Sequence, residues 1–198
     1  MLIHHIIFTI LGLHSLSLKA LKKITFLLIL LFAIYPILGQ KKITGSVITD
    51  YGETYEVANP DFKTDTSQSF KAVFDIARTF KDSSSVSPLI NTAARYLNLH
   101  HHAGISVEQM QVALVIHGTA SDDILSDTAY QKKYGIQNPN TPLLQQLMAE
   151  KVQVILCGQT ANHRNIVKKD IVPGVQIALS AMTALVQLQN AGYRLIHF

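Results

Sequence analysis

Gln111-Val112-Ala113-Leu114-Val115-Ile116-His117, followed at once by Gly118, decides the architecture of this chain. Five apolar residues run without a polar break, and Val112, Val115 and Ile116 are β-branched. A strand with one wet face alternates apolar and polar residues. A continuous run marks a strand covered on both faces, as in a parallel sheet between helices. Working outward, Val152–Leu156 repeats the pattern and ends on Cys157-Gly158. Phe70–Ala77, Val175–Leu179 and Tyr193–His197 supply three further strand signals. Helical signals lie between them. Pro88 follows Ser87 in a first turn, with Leu89, Ile90, Ala93, Ala94 and Leu97 at helical spacing. Thr141-Pro142 opens a helix through Glu150, Ala161–Lys168 is a short one, and Ser180 caps one that runs to about Asn190. Strands alternating with helices imply an α/β domain over residues 70–198, a doubly wound and mostly parallel sheet of about five strands.

The rest of the chain reads differently. Lys22-Lys23 precedes the apolar run Ile24–Tyr35, and Pro36, Ile37, Leu38, Gly39 and Gln40 follow. That is the plan of a secretory signal peptide over residues 1–39, with cleavage expected after Gly39. A retained anchor helix is the alternative, although the run is shorter than the ~20 residues that a span requires. Residues 1–20 are a second apolar patch with no part in this plan, so position 21 is the expected start of translation. The expected destination is the periplasm or the exterior. Residues 40–69, rich in Thr, Asp, Ser and Gly, read as an irregular arm with one short strand.

Charge narrows the partners. The chain of 198 residues carries 17 basic and 13 acidic residues. Three of the basic ones, Lys19, Lys22 and Lys23, belong to the leader, which leaves 14 against 13. Those 14 are scattered rather than clustered, which argues against a nucleic-acid partner. The single cysteine excludes an internal disulfide and any multi-cysteine metal site.

Ligands of a doubly wound sheet bind beyond the carboxyl ends of its strands. Three strand ends bring polar groups there: His117-Gly118-Thr119, Cys157-Gly158-Gln159-Thr160 and Ser180-Ala181-Met182-Thr183. Asn138-Pro139-Asn140 stands before a helix and is placed over the same edge. Cys157 sits between a strand and a helix start, where backbone N–H groups and the helix dipole favour the thiolate. The other reading is a small buried hydrophobe. His117 is the candidate auxiliary group, a thiolate partner or hydrogen-bond donor, if its strand adjoins that of Cys157; the alternative is a packing histidine. Gly118, Asn140, Gly158, Gln159 and Ser180 are the candidate pocket residues.

Other chemistries lack their patterns. His100-His101-His102 are consecutive, and consecutive helical residues do not face one ion. Ser180 sits in Leu-Ser-Ala-Met rather than Gly-x-Ser-x-Gly, so a hydrolase elbow is absent. No glycine fingerprint for phosphate or dinucleotide is present, and no cofactor is expected.

In chain order, His117-Gly118, Asn138-Pro139-Asn140, Cys157-Gly158-Gln159, Pro173-Gly174-Val175, Ser180-Ala181-Met182-Thr183-Ala184-Leu185 and Gly192-Tyr193 form a series. With this series, residues 70–198 resemble the DsrE/DsrF-like family, in its exported branch. The resemblance implies a flavodoxin-like, three-layer α/β fold that self-associates as a trimer or hexamer. It also implies a cysteine that carries sulfur as a persulfide between a donor and an acceptor protein. Only Cys157 is available for that role.

Two functions follow. One is a sulfur carrier using Cys157 with His117 as auxiliary, a carrier or binding protein rather than a turnover enzyme. The other is a noncatalytic oligomeric module that binds a small ligand or assembles, with Cys157 structural. A metal enzyme built on His100–His102 is a distant third.

Overall fold

The computed structural model describes residues 19–20, 22–26, 42–80 and 82–197. The chain divides into two compact units, residues 1–40 and 41–198. In the first unit Lys19, Ala20 and residues 22–26 are helical. Most of the apolar leader core and the cleavage position after Gly39 lie outside the described residues. Among those described, no helix is long and apolar enough to cross a membrane.

The second unit begins with a short antiparallel ladder, β1 (Lys42–Ile43) on β2 (Thr54–Tyr55). Then come β3 (Phe70–Ile76), α1 (Pro88–His102), β4 (Met110–Ile116), α2 (Asp127–Tyr134) and α3 (Thr141–Ala149). These are followed by β5 (Gln153–Cys157), α4 (Gly158–His163), β6 (Gln176–Ala178), α5 (Ala181–Asn190) and β7 (Arg194–His197). Strands β3 to β7 form one five-stranded sheet of order β6-β5-β4-β3-β7, and every neighbouring pair is parallel. This is the flavodoxin-like, three-layer α/β architecture. The chain lays β3, β4, β5 and β6 in one direction, then returns so that β7 pairs with the far side of β3. The reversal of strand order therefore falls between β3 and β7, the kind of position where open α/β sheets open a crevice.

The two sheet faces are covered unequally. On one, Phe74, Ile76, Val112, Leu114, Ile116, Val154 and Leu156 pack against Leu89, Ile90, Ala93 and Leu97 of α1 and Leu143, Leu144 and Leu147 of α3. On the other, Val73, Ala113, Val115, Ile155 and Cys157 meet only α5, through Ala181, Ala184 and Leu188, together with Tyr193. The alternation within each strand sends neighbouring residues to opposite faces, so Cys157 belongs to the α5 face.

The arm is ordered against α1, and more extensively than its composition suggests. Asn98, a buried amide on that helix, accepts from the N–H groups of Val47 (3.1 Å) and Ile48 (2.9 Å). Its Nδ2 donates to the carbonyls of Ile48, Tyr51 and Gly52 at 2.9–3.2 Å. Asn91 Oδ1 accepts from Gly52 N–H at 2.8 Å, and the Ile48 side chain is fully buried in the larger core. An irregular segment has backbone groups that no ladder satisfies; here two side-chain amides of α1 replace the ladder.

One boundary moves with consequence. The helix after β5 starts at Gly158, three residues before the expected Ala161, so Cys157 is both the last residue of the strand and the N-cap of the helix.

Candidate functional site

Four strands, β3, β4, β5 and β7, each bring one chemically active residue to the carboxyl edge on the α5 face: Asp75, His117, Cys157 and His197. In the β4–β5 register Ile116 faces Leu156. His117 and Cys157 are thus the next pair at the same level on adjacent strands, whose backbones lie ~4.8 Å apart in a sheet. His117 remains extended (φ −150°, ψ −176°), and its N–H donates to Ile76 O at 2.9 Å, which continues the ladder with β3.

Cys157 is buried, and burial pushes the thiol up. Opposing this are polar hydrogens near the sulfur, the N–H and hydroxyl of Thr160, the N–H of Ala181 and the N–H of Gln159, none of which makes a hydrogen bond of good geometry to it. Together they prevail and hold the thiol below its ordinary value. These groups belong to the first turns of α4 and α5, whose starts both lie beside Cys157. Thr160 also ties the site to β4, because its Oγ1 accepts from Gly118 N–H at 3.3 Å.

Local sequence explains the close approach. Gly118 has φ +57°, and a Cβ there would lie 2.4 Å from Ala77 O. A Cβ on Gly158 would lie 2.5 Å from Ala178 O, so only glycine lets α4 start against β6. Ser180 caps α5, its Oγ accepting from Thr183 N–H at 3.0 Å. Gln159 Nε2 donates to Leu179 O at 3.2 Å and links the two helix starts. Of the candidate pocket residues, Gly118, Gly158, Gln159 and Ser180 therefore gather around Cys157 as framework.

Asn140 is placed elsewhere. It is buried, its Oδ1 accepts from Ser87 N–H at 2.7 Å, and its Nδ2 donates to Asn138 Oδ1 at 3.1 Å. Asn138 in turn donates to the carbonyls of Asp123 and Leu125. The two asparagines tie loops beneath α1, and the expectation that Asn140 lines a pocket is corrected: its amide is consumed within the protein.

Two residues that the sequence does not single out complete the edge. Asp75, next to last in β3, accepts from His117 Nε2 at 2.8 Å with Oδ1. His197 of β7 lies with Nδ1 3.3 Å from Asp75 Oδ2, in the register pair Asp75↔His197. This pair stands at the reversal of strand order. The one sequence signal was a carboxylate inside the otherwise apolar Val-Phe-Asp-Ile of β3.

The histidine run scatters, as its spacing suggests. His100 Nδ1 meets Tyr96 O, His101 Nδ1 meets Ile105 O and His102 Nε2 meets Thr44 O. Among the described residues, no group of three His, Cys, Asp or Glu could hold a metal ion.

Two clefts adjoin the edge. One of ≈ 410 Å³ is lined by Gly118, Thr119, Gln159, Thr160, His163 and Arg164, and so shares Gln159 and Thr160 with the surroundings of Cys157. The other, ≈ 670 Å³, runs between α2 and the end of α4. Two of its cations, Lys133 (2.7 Å) and Arg164 (3.0 Å), are already paired with the buried Asp122. Burial pushes Asp122 up, but those cations and the Tyr134 hydroxyl outweigh it and keep the carboxyl below its usual range.

A parallel five-stranded α/β domain with a cysteine at its carboxyl edge, between a strand end and a helix start, is the class of protein that emerges. The model of the DsrE/DsrF-like family matches residues 71–198, and the chain belongs to that family. Two solved structures are similar. A protein of unknown function, MTH1491 from Methanobacterium thermoautotrophicum, is 19% identical with a TM-score of 0.49, covering 65% of this chain and 99% of its own. The ychN protein from E. coli is 21% identical with a TM-score of 0.49 and the same coverage. No curated protein matches the chain.

Proposed function

We propose that this DsrE-type protein is exported and carries sulfur as a persulfide on Cys157. The observation that supports this reading is the place of Cys157, which ends β5, stands as N-cap of α4 and packs against Ala181 at the start of α5; there the nearby polar hydrogens outweigh burial and favour the thiolate, the nucleophilic form. In loading, the thiolate attacks the outer sulfur of a donor persulfide, the donor's S–S bond breaks, and the donor leaves as a thiolate. In delivery, an acceptor thiolate attacks the sulfur carried on Cys157, whose thiolate is the leaving group.

The test is alkylation rate against pH on the folded protein, with mass spectrometry for added sulfur. The expected result is a thiol titrating below the ~8.5 of a free cysteine and a gain of one sulfur mass from a low-molecular-weight persulfide. Cys157→Ser should take up none. Undiminished loading of that variant, or a thiol inert until the protein unfolds, ends the proposal.

Self-association as a trimer or hexamer belongs to the same reading. Val175–Tyr193, which contains β6 and α5, holds no charged residue. Ile177, Leu179, Met182 and Val186 expose 43%, 73%, 75% and 56% of their surface there. Interface centres are depleted of charge in this way. The same face favours the second reading, a noncatalytic assembly module in which Cys157 only packs. Light scattering that shows a monomer at all concentrations would remove the shared part.

A further inference from the structure

From the geometry of the β3–β4–β7 edge we infer that Asp75 and His197 serve the thiol site through His117. His117 is then the group that protonates the thiolate leaving from Cys157's reaction partner. The inference rests on Cys157 being the reacting thiol.

Asp75 is a carboxylate, which only accepts hydrogen bonds when ionised. His117 Nε2, at 2.8 Å, therefore carries its hydrogen toward Asp75 Oδ1. The free ring nitrogen is Nδ1, and the ring stands on the same face and at the same strand level as Cys157. His197 Nδ1 lies 3.3 Å from the other Asp75 oxygen, without a hydrogen bond of good geometry, on a side chain that is 64% exposed. One carboxylate thus stands between two imidazoles, hydrogen-bonded to His117 and beside His197. A carboxylate behind an imidazole fixes its tautomer and its direction. A purely structural clamp needs neither two imidazoles nor a place beside the thiol at the reversal of strand order.

The charged and titratable groups facing this row can be named element by element. From β3 there is Asp75, from β4 the residue that follows it, His117, from β5 Cys157 and from β7 His197, while α5 brings none. A proton placed on His117 Nδ1 accordingly has two counter-charges in the row before the reaction, the Asp75 carboxylate and the Cys157 thiolate, and only Asp75 once the sulfur is bonded.

The step balances as follows. The Cys157 thiolate attacks one sulfur of a disulfide or persulfide R–S–S–R′, forms the new S–S bond and breaks the old one. The electron pair departs on the leaving sulfur. The proton on His117 Nδ1 passes to that sulfur, giving a neutral thiol and a neutral imidazole. No oxidant or reductant is needed, because the disulfide bond is exchanged rather than created.

The test compares two neutral disulfides with wild-type, Asp75→Asn and His197→Gln proteins. Hydroxyethyl disulfide releases a basic alkyl thiolate that gains from a proton. With 4,4′-dithiodipyridine the leaving group departs without one. Iodoacetamide, whose iodide needs no proton, reports the thiolate alone. Asp75→Asn is expected to slow exchange with hydroxyethyl disulfide at least tenfold, with dithiodipyridine exchange and alkylation within twofold. His197→Gln, on an exposed side chain and safe for folding, is expected to lower the same ratio by a smaller factor. Equal slowing of all three reagents, or no slowing of any, in both variants overturns the inference. Wild-type protein that exchanges with disulfides but gains no sulfane sulfur would instead refute the sulfur-carrier reading and leave this inference standing.

Discussion

The two faces of the sheet follow different rules. Among the described residues, 26 buried hydrophobic residues form the α1–α3 core against nine under α5. The first face is closed twice over, by helices and then by the arm that Asn91 and Asn98 hold to α1. The second is closed by one helix without charge, and it leaves Leu179, Met182 and Val186 exposed. All the reactive groups of the strand ends, Asp75, His117, His197 and Cys157, belong to this thin face. The thick face supplies stability; the thin face can then hold groups that must meet a partner.

Substitutions can break that contrast. The largest effect is expected from Asn98→Ala on the thick face. It removes five hydrogen bonds to the arm and leaves buried backbone groups unpaired, a loss of about 4 kcal/mol. Denaturant unfolding would measure it, and a loss below about 1 kcal/mol would mean that the arm contributes little.

Next comes Asp123, at the strand-end margin between the faces. Burial pushes its carboxyl up to about 6 against the Thr79 and Ser87 hydroxyls, and the neighbouring Asp122 adds to the rise. Asp123 Oδ2 and Ser87 Oγ both lack a hydrogen bond of good geometry. Because the folded value lies above the unfolded one, the fold takes up a proton between about pH 4 and 6. Stability from this group is present below the unfolded value and is lost as the pH rises through about 6. Asp123→Asn should therefore match the wild type near pH 4 and exceed it by about 2 kcal/mol at pH 7.5. Thermal melts across this range check the sign, and a variant less stable at pH 7.5 would contradict it.

The smallest effect on folding is expected on the thin face. Met182→Glu replaces a side chain that is three-quarters exposed, so a change within about 0.5 kcal/mol is expected. The same substitution should dissolve the self-association proposed for this face. Sedimentation that reports an unchanged assembly would move the interface elsewhere.

The contrast also explains what the sequence reveals. β4 and β5 are legible because burial on both faces removes alternation, and Cys157 and His117 are legible because polar groups that end such strands stand out. Asp75 and His197 are not, since their partnership depends on β7 returning beside β3, a pairing between residues 122 positions apart in the chain. Asn98 escapes for a related reason: within the apolar stripe of α1 it looks like surface, and only the docked arm makes it core. Asn140 misleads in the other direction, because an asparagine before a helix suggests a free amide until Ser87 and Asn138 are seen to occupy it.

Ala181 packs with Cys157, its N–H favours the thiolate, and it is the first residue of α5. The ionisation of that sulfur and the seating of the helix are consequently two sides of one equilibrium. Anything that pulls α5 away weakens the thiolate, and a change at the sulfur must alter, by the same factor, the affinity of whatever rests on α5.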